Sequence, residues 1–483
     1  MSGEALEHYL SDDSRRGNPV PGSAAGRAGG AACGDLIEVS LRFRDGRVAE
    51  LRQIASGCAA ARAAGAAVAE LADGLPLTEA ALIDAGGISA ELGGLSPVGA
   101  HAADLAAEAL HRALGTAAAT NDEQLLPAPA AGERVLVAVS GGVDSAVAAL
   151  RERERGAEVL AVTLELWSDP ANDGERSCCS ADAVRQARAV SHSLGIPHLT
   201  VDLRERFREG VVEPFLAGYA EGRTPNPCVR CNGRVRIAPM IELAERLGAQ
   251  ALATGHYARI VDDGGEPLLA AAADPAKDQA YMLAGLPPAA LRRLRFPLGG
   301  LTKPEVRELA RAASLPVADK AESQDLCFLA GEGKAGFLAR HGGLADRRGE
   351  IVAADGTVLG EHRGHHRFTV GQRKGIGLGA PEPLYVLSTD ARTNRVVVGP
   401  GEALQTERVA VRDAVLHRPA ERVRSVRLRY RSQPVACRVG GAGGPGSHAS
   451  LTVELEAPVR AAAPGQTAVF CDGDVVVGHG TIA

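Results

Sequence analysis

Apolar positions change their spacing several times along this 483-residue chain. Between 36 and 44 they alternate, with Ile37, Val39, Leu41 and Phe43 on one side, the period of a half-buried strand. Asp45-Gly46 supplies a turn, and 48–54 offers the return strand of a hairpin. Two Ala-rich stretches, near 58–72 and 98–115, predict helices. Residues 11–32 read as a mobile arm, and 115–132, with Pro127 and Pro129, as an interdomain linker. From 133 to about 330, strands are predicted at 135–139, 158–166, 198–203 and 250–254, with helices at 145–155, 181–194 and 237–247. This βαβ rhythm implies a parallel sheet covered on both faces. Beyond about 340 short β runs dominate, and 423–431, 451–455 and 467–477 predict a small antiparallel barrel. The expected architecture is multidomain α/β: an α+β domain over 1–118, a linker over 119–132, a parallel-sheet domain over 133–335, a small central domain over 336–403 and a β-barrel over 404–483.

Composition narrows the class. Hydrophobic residues make up 45% of the chain but aromatics only 3%, so the cores are expected to be built from Ala, Val and Leu. No apolar run reaches the ~18 residues of a membrane span, and the N-terminus lacks the basic and apolar regions of a signal peptide. A cytoplasmic protein with no membrane partner is expected. Residues 1–130 carry 9 Arg and no Lys against 17 Asp and Glu. The net charge of −6 argues against non-specific nucleic-acid binding but leaves room for a local basic face. Nine Cys without an export signal point to thiol or metal chemistry.

The candidate chemistry begins where the run 135–139 meets Ser140-Gly141-Gly142-Val143-Asp144-Ser145. A strand, a glycine turn and a helix N-terminus form an anion cradle of backbone N–H groups. No Lys follows the glycines, unlike the loop of kinases and GTPases. The motif instead resembles the pyrophosphate loop of ATPases that release AMP and pyrophosphate, which adenylate a carbonyl oxygen so that a nucleophile can displace it.

Further segments extend the likeness: RTPNPCVRCN at 223–232, ATGHY at 253–257, KDQAY at 277–281, ESQDLCF at 322–328, TVGQRKGIGLG at 369–379 and PLYV at 383–386. Together they resemble the tRNA-specific 2-thiouridylase family (MnmA) over about 133–483. The resemblance implies ATP-dependent 2-thiolation of the wobble uridine, position 34, of tRNA acceptors for Lys, Glu and Gln, with Mg²⁺ shielding the phosphates. It places ATP against Ala138, Val139, Ser140, Gly141, Gly142, Val143, Asp144, Ser145, Leu164 and Gly255. It places tRNA against Asn226, Pro227, Cys228, His256, Lys277, Asp278, Gln279, Arg429, Tyr430 and Gln466. Cys327 becomes the persulfide carrier and Cys231 the nucleophile or resolving thiol. Arg427, Arg429 and Arg431 are expected on one strand face, a surface that Arg292, Arg293, Arg295 and the basic residues of 363–374 would extend.

Replacing oxygen by sulfur needs an activated oxygen and a transferable sulfur, hence two thiols, one to carry and one to resolve. Cys228 stands where many family members have Asp, so three sulfur chemistries remain open. They are a persulfide relay, a [4Fe–4S] cluster on Cys228, Cys231 and Cys327 with one open iron, and a structural zinc site on Cys228, Cys231, Cys178 and Cys179. Two other functions also remain open: an amidating or argininosuccinate-forming ATPase, and an iron–sulfur carrier with a regulatory ATPase.

Residues 1–118 resemble a NifU/IscU-type iron–sulfur scaffold through ACGD at 32–35, SGCA at 56–59 and LSPVGAH at 95–101. The resemblance implies cluster ligands Cys33, Asp35, Cys58 and His101, with Ala102 in place of the expected third Cys. A cysteine desulfurase or sulfur-relay protein is the implied partner. Fusion to a thiolation domain implies delivery of sulfur or a cluster in cis, through a flexible tether.

Overall fold

The computed structural model describes all residues except 1–2, 31–33, 122–123, 131, 170–179, 322–325, 330–331, 380, 442–443 and 461. Strands Ala24–Gly29, Leu36–Arg44 and Arg47–Ser56 form a three-stranded antiparallel sheet in that order, packed against helices Ala59–Ala72 and Ala100–Thr120. The predicted hairpin turns at Asp45 and Gly46, whose φ values are 53° and 72°; this backbone suits a two-residue hairpin. Ile37, Val39 and Leu41 are fully buried. The arm expected over 11–32 is corrected in part: Ala24–Gly29 is a strand paired with Leu36–Leu41. Its small residues resemble a linker in composition, but they allow the helix Ala100–Thr120 to lie close over the strand.

In the next unit five parallel strands run in the order Leu294–Arg295, Ala251–Thr254, Arg134–Ala138, Glu158–Glu165, His198–Asp202. Four of these are the predicted strands; the fifth is two residues long and too short to show a period. Helices Val143–Glu154, Ala181–Ser193 and Ile237–Arg246 fall where the helical spacing placed them. A mixed four-stranded sheet follows: Val358–His362, Gly349–Ala353, Arg395–Gly399, Tyr385–Asp390.

The C-terminal strands Gln405–Leu416, Gly446–Arg460, Val435–Gly440, Ser425–Arg427, Thr467–Asp472 and Val475–Ile482 close into a barrel when the first pairs with the last. The hairpin Arg259–Asp262/Pro267–Ala270 joins this sheet at Val475. Two expectations are corrected here. The run 467–477 is two strands broken at Gly473, φ 63°. The run 423–431 is a strand only over Ser425–Arg427; Arg429–Ser432 is a turn, with Arg431 at φ 64°. Arg427, Arg429 and Arg431 therefore do not share a strand face.

The first unit is docked on the second. Helix Ala100–Thr120 covers the edge strand His198–Asp202, whose His198 N–H donates to Ala81 O at 3.1 Å. His192 Nε2 lies 2.9 Å from the same carbonyl. Fully buried His111 lies with Nδ1 2.6 Å from His198 O and Nε2 2.9 Å from Ile83 O, and its single N–H serves one of them. Burial, first, and the nearby Arg188 hold its pKa down to about 3, so it is neutral. The expected linker is pinned as well: Leu125 and Leu126 are buried, Arg134 Nη2 donates to Pro127 O at 2.8 Å, and Arg246 Nη1 to Asn121 O at 2.9 Å. The described part of the tether is thus anchored at Leu125 and Leu126, whereas Pro127, Ala128 and Ala130 remain exposed. Gly115 is the tightest point, where a Cβ would lie 1.9 Å from Thr200 O. Gly115→Ala should therefore lower the urea midpoint by about 1–3 kcal/mol equivalent; an unchanged midpoint would mean that this contact does not hold the units together.

Candidate functional site

The strand Arg134–Ala138 hands the chain through Ser140-Gly141-Gly142 to the helix Val143–Glu154. Gly141 has φ +70°, and a Cβ on it would lie 2.7 Å from Ala183 O, so only glycine fits the turn. No side chain caps the helix at Gly142, so its first N–H groups face the space where an anion would sit. Ser145 Oγ steadies the loop, accepting from Ser140 N at 3.1 Å and donating to Gly142 O at 3.0 Å.

This loop opens on a cavity of about 390 Å³, within the roughly 300–1,000 Å³ of small-molecule sites. Ala138, Val139, Ser140, Asp144, Ser145, Leu164 and Gly255 line it; Gly141, Gly142 and Val143 complete the turn behind. Pro227, Cys228, Cys231, His256, Gln279 and Cys327 line the same cavity. Residues expected from distant parts of the sequence to handle nucleotide and sulfur thus share one space.

Local structure explains how the thiols arrive there. Asn226 Oδ1 accepts from Cys228 N at 3.2 Å and Val229 N at 3.3 Å, starting the turn Pro227–Arg230. The helix then widens to a π-type stretch over Cys231–Arg236, a distortion common at functional sites. Cys231 is buried, whereas Cys228 and Cys327 are part-exposed. Burial raises the Cys228 pKa, opposed by the charge of Arg236, which also lines the cavity. His256 accepts or donates at 2.8 Å with Thr254 Oγ1 and is held to about pKa 3, chiefly by burial and then by Arg236, so it is neutral.

Three cationic side chains were not singled out by the sequence pattern. Arg236 is one. Lys303 Nζ meets both oxygens of Asp144 in the loop, at 2.7 and 2.9 Å, and Tyr257 Oη donates to Asp144 Oδ1 at 2.7 Å. Lys320 Nζ donates to Gly141 O at 3.0 Å. The lysine that the loop lacks in sequence is supplied from more than 150 residues downstream; a spacing motif could not have shown it.

The residues expected to meet tRNA separate into two groups. Pro227, Cys228, His256 and Gln279 face the cavity, and Gln279 Oε1 also accepts from Tyr257 N at 2.9 Å. Gln466 Nε2 donates to Thr224 O at 2.7 Å, tying the barrel to the loop that bears the thiols. Arg429 Nη2 donates to Arg460 O at 2.6 Å, Tyr430 stacks near Tyr281 at 6.1 Å, and Lys277 N donates to Asp274 O at 3.1 Å. Asp278 is buried: Oδ1 accepts from Ala272 N and Ala280 N, and Oδ2 pairs with Arg427 at 2.7 Å. In this conformation Asp278 and Arg427 hold one another instead of forming an open RNA face. Arg295 likewise pairs with Glu133 and Glu152, Arg293 with Glu245, and Arg363 and Arg367 with Asp346.

In the N-terminal unit Asp35, Cys58 and His101 present donor atoms within 4.8 Å of one another. Asp35 Oδ2 lies 2.7 Å from His101 Nε2 and 3.2 Å from Cys58 Sγ, and Asp35 Oδ1 accepts from Cys58 N at 2.7 Å. The Cys58 backbone bond and then His101 lower the Asp35 pKa, while Asp35 raises that of His101. Cys58 is exposed at the N-cap of Ala59–Ala72, where its Sγ also accepts from Ala61 N at 3.4 Å, and not in an inert core. Ala102 is buried in the helix. Cys33, Cys178, Cys179 and 322–325 lie outside the described residues.

Four family models match: "NifU-like N terminal domain" over 2–123, "tRNA methyl transferase HUP domain" over 133–331, "tRNA methyl transferase PRC-barrel domain" over 335–400 and "Aminomethyltransferase beta-barrel domain" over 410–482. The "Bifunctional protein NifU/MnmA" of Rubrobacter xylanophilus is 45% identical over 99% of this chain and 97% of its own length. The "tRNA-specific 2-thiouridylase MnmA" of Geobacter metallireducens is 43% identical over 72% of this chain and 96% of its own. That of Chloroflexus aggregans is 45% identical over 72% and 98%. No helix among the described residues is long and apolar enough to cross a membrane.

Proposed function

Because the chain belongs to the bifunctional NifU/MnmA family, a tRNA-specific 2-thiouridylase with a fused NifU-like domain, we propose that it adenylates the wobble uridine of tRNA and replaces its C2 oxygen by sulfur. The observation that carries this is the single cavity shared by the pyrophosphate-type loop, Cys231 and Cys327. The uridine oxygen attacks the α-phosphorus of ATP, and pyrophosphate leaves with its charge met by the loop N–H groups and Lys303. Asp144, held in this structure by Lys303 and Tyr257, would exchange one of these contacts to hold Mg²⁺, which would supply charge shielding. The terminal sulfur of a Cys327 persulfide then attacks C2 and displaces AMP. Cys231 thiolate attacks Cys327 Sγ, breaking the S–S bond, freeing 2-thiouridine and leaving a Cys231–Cys327 disulfide that a thiol reductant reopens.

A second reading is favoured by one observation: Cys228 brings a third thiol to the same cavity. Cys228, Cys231 and Cys327 would hold a [4Fe–4S] cluster, whose open iron supplies a binding position for sulfide. Asp35, Cys58 and His101 would receive sulfur or a cluster from a cysteine desulfurase or relay protein; their mixed O, S and N donors suit such a site. The tRNA acceptors for Lys, Glu and Gln are the proposed substrates.

Anaerobic purification of the full chain separates the two chemistries. Metal-free protein that accepts one sulfur on Cys327 and still thiolates tRNA supports the relay. Iron and acid-labile sulfide lost in Cys228→Ala but retained in Cys58→Ala support the cluster and overturn the relay.

A further inference from the structure

We propose that Arg112, on the N-terminal domain, is a positioning residue for the nucleotide site of the parallel-sheet domain; this rests on the adenylation reading above. Its side chain leaves the helix Ala100–Thr120 and grips Glu165, the last residue of the strand Glu158–Glu165. Nε lies 3.0 Å from Oε2 and Nη2 2.5 Å from Oε1. Nη2 also meets Glu108 Oε1 at 2.6 Å, and Nη1 donates to Arg27 O at 2.5 Å. A fork of this kind fixes orientation as well as charge.

The position of Glu165 gives the contact its consequence. It sits between Leu164 and Leu166, both of which line the nucleotide cavity, while its own side chain turns away toward the N-terminal domain. Its carbonyl accepts from Leu203 N at 2.9 Å. The strand end that forms one wall of the cavity is therefore clamped by an arginine from the other domain.

One guanidinium serves two carboxylates that are 5% and 6% exposed, Glu108 and Glu165. Burial raises the Glu108 pKa, Arg112 opposes this, and Glu165 adds to it; Arg188 and Arg185 from the helix Ala181–Ser193 offset it more weakly. Arg204 also acts on both carboxylates, but its hydrogen bonds go to Asp202, so without Arg112 the two nearly buried carboxylates would lose the guanidinium that bonds them both. Glu108 is fixed within a long helix, whereas Glu165 ends its strand. Loss of the clamp would therefore act on the wall at 164–166, at the end of the strand where pairing with the neighbouring strand stops at Asp202. The docked domain thus supports the adenylation site besides any delivery of sulfur.

The test is tRNA-dependent pyrophosphate release by the full chain at varied ATP, for wild type, Arg112→Met, Arg112→Lys and Arg112→Met/Glu165→Gln. Arg112→Met should raise KM for ATP about tenfold, within the range for coupled neighbours, with a smaller change in kcat. Lys should recover part of this, and the double variant should return within about threefold of wild type because Glu165 is then neutral and no longer repels Glu108. An unchanged KM in Arg112→Met, or a KM raised equally in the double variant, would overturn the positioning role. No pyrophosphate release by wild type would instead overturn the adenylation reading.

Discussion

Cys231→Ser or Cys327→Ser in the full chain should lower 2-thiouridine formation on the order of 10³-fold or more, while tRNA-dependent pyrophosphate release continues. Serine keeps the shape of either side chain but can neither carry a sulfane sulfur nor open a disulfide. The two thiols line the cavity onto which the loop opens, without belonging to the loop that would hold the phosphates. Under the proposed adenylation, activation and sulfur transfer would therefore separate, the adenylate forming and hydrolysing unproductively. The measurement is nucleoside analysis of the tRNA beside a pyrophosphate assay on the same reaction. Retained thiolation in both variants would remove these residues from the chemistry.

Lys303→Met should slow tRNA-dependent pyrophosphate release about 10²–10³-fold, the loss typical of removing one preorganised group at developing charge. Lys303 is mostly buried and holds both oxygens of Asp144 within the loop. Its ammonium is thus in place before nucleotide arrives, next to the helix N-terminus that would take the pyrophosphate. If Lys303 only supports the fold, the variant would show a lower unfolding midpoint with turnover recovered on cooling. An undiminished kcat at saturating ATP would show that the loop does not need Lys303.

The sequence exposed those parts of the molecule whose information is local. Residues 135–145 show strand, turn and helix start directly, since each follows from the spacing of Val, Gly and Ala. The Asp45-Gly46 hairpin was readable for the same reason. The contacts made by Lys303, Lys320 and Arg112 were not, because each depends on tertiary packing between segments far apart in the chain. Ala- and Gly-rich stretches misled in one direction. At 24–29 and 115–120 they are close-packed surfaces, not loose connections, because a small side chain serves both uses. Arg427 misled in the other: three alternating arginines suggested a strand face, but the turn at Arg429–Ser432 ends the strand early, and Asp278 takes the charge of Arg427.

The most direct measurement is a reconstituted reaction with full-length protein, unmodified tRNA, ATP, Mg²⁺ and a persulfide donor, counting pyrophosphate and 2-thiouridine in the same tube. The expected result is tRNA-dependent pyrophosphate release and one 2-thiouridine per pyrophosphate when sulfur is in excess, with release persisting but uncoupled when the donor is omitted. Thiolation without ATP consumption, or pyrophosphate release indifferent to tRNA, would contradict adenylation of the uridine in the shared cavity.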